Sequence, residues 1–87
     1  MATTPALEFP CAFPLKVMGR DNLEFRAAAR LIVERHLGPV PESVVTARAS
    51  SAGNFLALTF DITAESRAQL DALYRELSGC PQILVAL

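Results

Sequence analysis

The sequence predicts an α+β fold, a ferredoxin-like β-α-β-β-α-β sandwich. Its four-stranded antiparallel sheet should run in the order 4-1-3-2, with two helices on one face. Three observations carry this. Four short stretches suit strands and two longer ones show helical spacing. Gly, Pro and Asn stand at the boundaries between them. Right-handed crossovers fold that element order most directly into this sandwich.

Residues 1–8 are small and polar and are expected to be flexible. Residues 9–87 form the single expected domain. Phe13, Leu15 and Val17 alternate with Pro14, Lys16 and Met18, the period of a half-buried strand, and Gly19 is expected to end it. Pro14 is placed near the strand's start, where a missing donor costs little. Asp21 is the expected cap of the first helix, with Glu24 three residues on. Phe25, Ala28, Ala29 and Ile32 recur at helical spacing, and Gly38-Pro39 stop the run. The second strand is expected over Val44 to Ser50, with Val45, Ala47 and Ala49 on one face. Ser51-Ala52-Gly53-Asn54 reads as a hairpin loop, because Gly and Asn tolerate positive φ. Leu56, Leu58, Phe60 and Ile62 then mark the clearest strand in the chain. Thr63 is the expected cap of a second helix with Glu65 in its first turn. Leu70, Leu73, Tyr74 and Leu77 form its core stripe, and Gly79 ends it. Pro81 leads into a last strand, Gln82 to Leu87.

Composition excludes several roles. The 87 residues are 52% apolar and 20% charged, which suits a small folded domain. A net charge of −1 and a pI near 5.7 give no general attraction to nucleic acid or acidic lipid. The longest apolar run, Ile83 to Leu87, falls far short of the about 20 residues a membrane span needs. No signal peptide is read at the start, so a cytoplasmic location is expected. The topology puts Cys11 and Cys80 at opposite ends of the sheet, roughly 20 Å apart at about 3.3 Å per residue. A disulfide or shared metal site is therefore not expected.

The sheet face away from the helices is the natural place to look for function. By strand parity it should carry Lys16, Met18, Val44, Thr46, Arg48, Phe55, Ala57, Thr59, Asp61, Leu84 and Ala86. That mixture is more apolar than solvation requires. The last strand, apolar on both sides at a sheet edge, invites burial against a partner. Lys16, Met18, Arg48, Phe55, Leu84 and Ala86 are the candidate interaction residues.

Other activities known for this fold find little support in the residues. Val17 to Arg26, V-M-G-R-D-N-L-E-F-R, is superficially similar to the acylphosphatase signature, in which loop amides and an arginine hold a phosphate. Its spacing is one residue short, the loop's second glycine is absent, and Asp21 and Glu24 put negative charge at the helix start. A copper loop of the Met-x-Cys-x-x-Cys type lacks its cysteines after Met18. RNA reading through Lys16, Arg48 and Phe55 has one aromatic where several are usual. His36, the only histidine, stands at a helix end with no adjacent nucleophile and suits the helix dipole. Arg20, Arg26, Arg30 and Arg35 are interleaved with Glu24 and Glu34 and are expected to form a solvated helix face with close ion pairs. No catalytic residue, metal or cofactor is expected.

The assembled pattern resembles one family. F-P-x-x-F-P-x-K-V-M-G at 9–19, Arg35-His36, S-S-A-G-N-F at 50–55 and L-Y-R-E-L at 73–77 span nearly the whole chain. They are similar to the small bacterial proteins of the YbeD type, a family without an assigned function. The resemblance implies the same ferredoxin-like fold, close in architecture to the regulatory ACT domains that bind amino acids between paired subunits. It implies no catalytic residue or cofactor. Gly19 and Arg20, after the first strand, are the candidate ligand-binding residues on this analogy. The expected function is a non-catalytic, self-associating regulatory module that binds protein or a small metabolite. An acylphosphatase-like enzyme at the Gly19-Arg20 corner and a weak RNA binder are the rivals.

Overall fold

A computed structural model describes residues 8–87. The expected flexible segment, residues 1–8, lies outside the described residues except for Glu8, which is exposed. The chain runs β1 (Cys11–Arg20), α1 (Leu23–Leu37), a short 3-10 turn (Glu42–Val44), β2 (Val45–Ala49), β3 (Phe55–Ala64), α2 (Arg67–Gly79) and β4 (Val85–Ala86). The sheet order is β2-β3-β1-β4 with every neighbouring pair antiparallel, which is the predicted order read from the other edge.

β1 is longer than predicted. It passes through Gly19 and ends at Arg20, because β3 offers a partner at every position from Cys11↔Ala64 to Arg20↔Phe55. Pro14 sits inside this central strand. Lys16 exchanges two backbone hydrogen bonds with Leu87, so even-numbered residues of β1 turn their amide groups toward β4. Pro14 shares that parity, but the ladder with β4 reaches no further than Leu87. The proline thus lacks a donor on a stretch of edge that has no strand beside it.

Both helix starts differ from expectation. Asn22, not Asp21, caps α1, its side-chain oxygen accepting from the Phe25 amide at 2.7 Å. Asp21 instead pairs with Arg26 at 3.2 Å. Thr63 belongs to β3, and Ser66 caps α2 by accepting from the Gln69 amide at 3.1 Å. Gln69 reaches back to accept from the amide of Glu65, one residue before the cap, at 2.7 Å, a variant of the S-x-x-Q box. Gly38 donates to the Glu34 carbonyl and ends α1 as predicted. At the hairpin tip Gly53 takes φ 76°, the left-handed region that a residue with Cβ avoids, whereas no described non-glycine residue, Asn54 included, has positive φ.

The core lies between the sheet and the two helices. Leu15, Val17, Leu56, Leu58 and Phe60 point inward from the strands and meet Phe25, Ala29 and Val33 of α1 and Leu73 and Leu77 of α2. Phe13 and Tyr74 close one end, edge to face, with ring centroids 6.3 Å apart. Burial there pushes the Tyr74 phenol above its ordinary value of 10.0.

The last strand is the largest departure. Only Val85 and Ala86 are strand, not Gln82 to Leu87. A bend at Leu84 resets the alternation. Ile83 is buried, Leu84 and Val85 are both exposed, and Ala86 packs on the core opposite Val17. Ala86 therefore does not lie on the open face. The 3-10 turn likewise turns Val44 onto the core edge, and β2 begins one residue later than predicted. Cys11 and Cys80 are free thiols.

Candidate functional site

The open face is built from alternate residues of β1, β2 and β3. Register fixes its rows. Phe55 faces Arg20; in the next row Arg48, Ala57, Met18 and Val85 stand side by side across four strands. Thr46, Thr59 and Lys16 follow, with Leu87 hydrogen-bonded beside Lys16. Asp61 faces Pro14 in the next row, and Thr63 faces Ala12 in the last. The face grades from a basic, apolar end to a polar one.

Its apolar part is exposed. Met18 is 36% exposed, Phe55 39%, Val85 43% and Leu87 65%. Ala57, the smallest side chain among them, leaves a shallow depression of about 210 Å³ bounded by Met18, Arg48 and Phe55. Two sequence-predicted residues, Arg20 and Phe55, form a unit. The Arg20 guanidinium lies 5.7 Å from the Phe55 ring centroid, a cation–π contact. Sequence reasoning placed Arg20 at a turn; the extra strand residues turn it onto the open face with Lys16 and Met18.

Gly19 points the other way. It is buried, and a Cβ there would meet Phe25 Cδ1 at 2.3 Å and the Gln82 carbonyl oxygen at 2.7 Å. Its lack of a side chain lets the Phe25 ring and the approach to β4 close over the strand. Gly19 and Arg20 therefore do not converge on one pocket. Arg26, the other member of the expected phosphate corner, is engaged by Asp21.

The ion pairs lie on the helical side of the molecule. On the helical side each α1 arginine finds a carboxylate: Arg26 with Asp21 at 3.2 Å, Arg30 with Glu42 at 3.0 Å, Arg35 with Glu76. His36 Nε2 also meets Glu76, at 2.7 Å, which ties the end of α1 to α2. None of these is the expected pairing with Glu24 or Glu34. Glu34 accepts from the Val40 amide at 3.1 Å instead. Glu76 was missed from sequence, since its partners stand 40 residues or more away. On the open face Lys16, Arg20 and Arg48 make no ion pair among the described residues, and Asp61 is the one carboxylate on its rows. No group of three or more His, Cys, Asp or Glu able to hold a metal occurs among the described residues. Nor is any described helix long and apolar enough to cross a membrane.

Comparison with known proteins adds the lineage. A family model described as "Protein of unknown function (DUF493)" matches residues 4–87. A UPF0250 protein of Leptothrix cholodnii is 48% identical over 81 residues, 93% of this chain and 89% of that one. UPF0250 proteins of Chromobacterium violaceum and Paraburkholderia phytofirmans are 45% and 44% identical over 80 residues, 92% of this chain and 90% of theirs. No solved structure matches.

Proposed function

The chain belongs to the DUF493 family of small bacterial proteins, the YbeD type that includes the UPF0250 proteins, and we propose that it is a non-catalytic binding module whose open sheet face receives a protein partner. One observation carries this: Met18, Phe55 and Val85 stay exposed side by side on a face that the chain's own helices leave bare. An antiparallel sheet can leave one face to water when that face is polar, whereas an apolar surface rimmed by polar groups marks an association site. The part assigned to a sheet edge in the sequence reading moves to this face. β4 is short and bent, which blunts edge pairing. A small-metabolite role is less supported, since Gly19 is packed beneath Phe25 and the depression at Ala57 is shallow.

A photo-crosslinking residue tests the reading. Benzophenone at position 55 should give protein adducts in the cell, to another chain or to a second copy. The same group at position 75, exposed on α2, should give none of these adducts. Equal labelling from both positions, or none from position 55, would sink the proposal.

A further inference from the structure

We infer that the occupant of the open face is an acidic amphipathic segment of a different polypeptide, with an apolar stripe flanked by carboxylates. This rests on the reading of the face as a protein-binding surface and adds the chemistry of what it binds.

The argument is charge complementarity around an apolar centre. Met18 has Lys16 and Arg20 two residues away on its own strand, on the same face. Arg48 stands across Ala57 from it. Three cations thus ring one exposed thioether and the depression beside it. None of them meets a carboxylate among the described residues; the three α1 arginines do, while Arg67 and Arg75 of α2 do not. What sets the open face apart is that its three cations surround an apolar patch, in a chain whose net charge is −1. A partner with acids flanking an apolar stripe would give these cations their counter-charges while covering Met18, Phe55 and Val85.

The same charges disfavour the other occupants. Two copies packed face to face over the same apolar patch would bring Lys16, Arg20 and Arg48 of each against those of the other, with Asp61 as the only acidic side chain on the rows of each open face among the described residues. A polynucleotide would need several aromatic platforms for stacking, and Phe55 is the one aromatic on the rows of this face. Methionine suits the proposed role, because its flexible side chain adapts to varied apolar surfaces.

The test uses defined probes and the full chain. Amide chemical shifts are followed while three ligands are titrated: a helical 15-residue peptide with a leucine stripe and glutamate flanks, the same peptide with lysine flanks, and a ten-residue oligouridylate. The glutamate peptide should bind, moving signals of Met18, Arg48, Phe55 and Ala57. Its affinity should fall about tenfold or more between low and half-molar salt, as screened contacts require. The lysine peptide should bind at least about tenfold more weakly. The double variant Arg20→Glu, Arg48→Glu should reverse that preference, its dispersed spectrum showing that the fold is intact; Arg75→Glu should not. Equal binding of the two peptides, preference for oligouridylate, or no binding by any probe would overturn the inference. If crosslinks from position 55 persist while the peptides bind equally or not at all, the binding surface stands and only the acidic partner falls. If those crosslinks join two copies of this chain alone, the inference of a different polypeptide fails in the same way.

Discussion

The ring of Phe25 lies directly over Gly19, so close that a methyl group on Gly19 would stand 2.3 Å from Phe25 Cδ1. The Gln82 carbonyl oxygen, 2.7 Å from the same point, is backbone and cannot swing aside. Overpacking of this kind costs about 1–3 kcal/mol. Gly19→Ala should therefore lower stability by about that much in urea unfolding. Phe25→Leu should relieve part of the loss, giving a coupling energy in the double-mutant cycle. A neutral Gly19→Ala would show that the ring does not sit where it is described.

The helix caps give a second prediction, one that separates neighbouring residues. Asn22→Ala and Ser66→Ala each remove an acceptor from a helix-start amide and should cost about 1 kcal/mol. Asp21→Ala loses only an exposed pair with Arg26 and should cost about 0.5 kcal/mol or less. Chemical denaturation of the three variants orders them; an Asp21 effect as large as that of Asn22 would reinstate the residue the sequence pointed to.

Glu76 joins the ends of two helices by meeting both Arg35 and His36. Arg30 with Glu42 is a more exposed pair, Glu42 being 84% exposed. Glu76→Gln should cost about 1 kcal/mol, and Glu42→Gln less than about half of that. Half-molar salt should shrink both differences. Thermal unfolding of the two variants at low and high salt is the measurement, and equal effects would remove the special place given to Glu76.

Tyr74 is the only tyrosine, so its ionisation can be read by absorbance without interference. Burial raises its folded-state value above 10.0. Its contribution to stability should be full below the unfolded value of about 10 and be lost as pH rises through the folded one. The native protein should titrate later than the urea-unfolded chain. Coincident curves would contradict the placement of Tyr74 against Phe13.

The topology was legible because it depends on long-range pattern. Leu56 to Ile62 alternates over seven residues, and that period survives any shift of an endpoint. What failed depends on single residues. Asp21 and Asn22 are both good caps, and the choice is made by where β1 stops, which β3 decides by pairing as far as Arg20. Ser66 and Gln69 did carry a sequence signal, the S-x-x-Q spacing, but Thr63 masked it by standing nearer the preceding apolar run. Ala86 was placed on the wrong face because parity was carried through Leu84, where the backbone bends. The candidate face was visible as a set of residues. The contact of Arg20 with Phe55 was not, since nothing in local sequence shows that a strand continues past its glycine.

The ladder between β1 and β3 also bears on how fast the domain assembles. Its pairs join Cys11 to Ala64 and Arg20 to Phe55, so a chain segment containing all of α1 and β2 must close before the first of them forms. The β2–β3 hairpin needs only the turn at Ser50 to Asn54 and can form within microseconds, the timescale of isolated hairpins. β1 then has a ready edge on which to dock. Changes at the hairpin turn should therefore slow folding, whereas changes at β4, which joins only after β1 is in place, should speed unfolding and leave the folding rate nearly untouched.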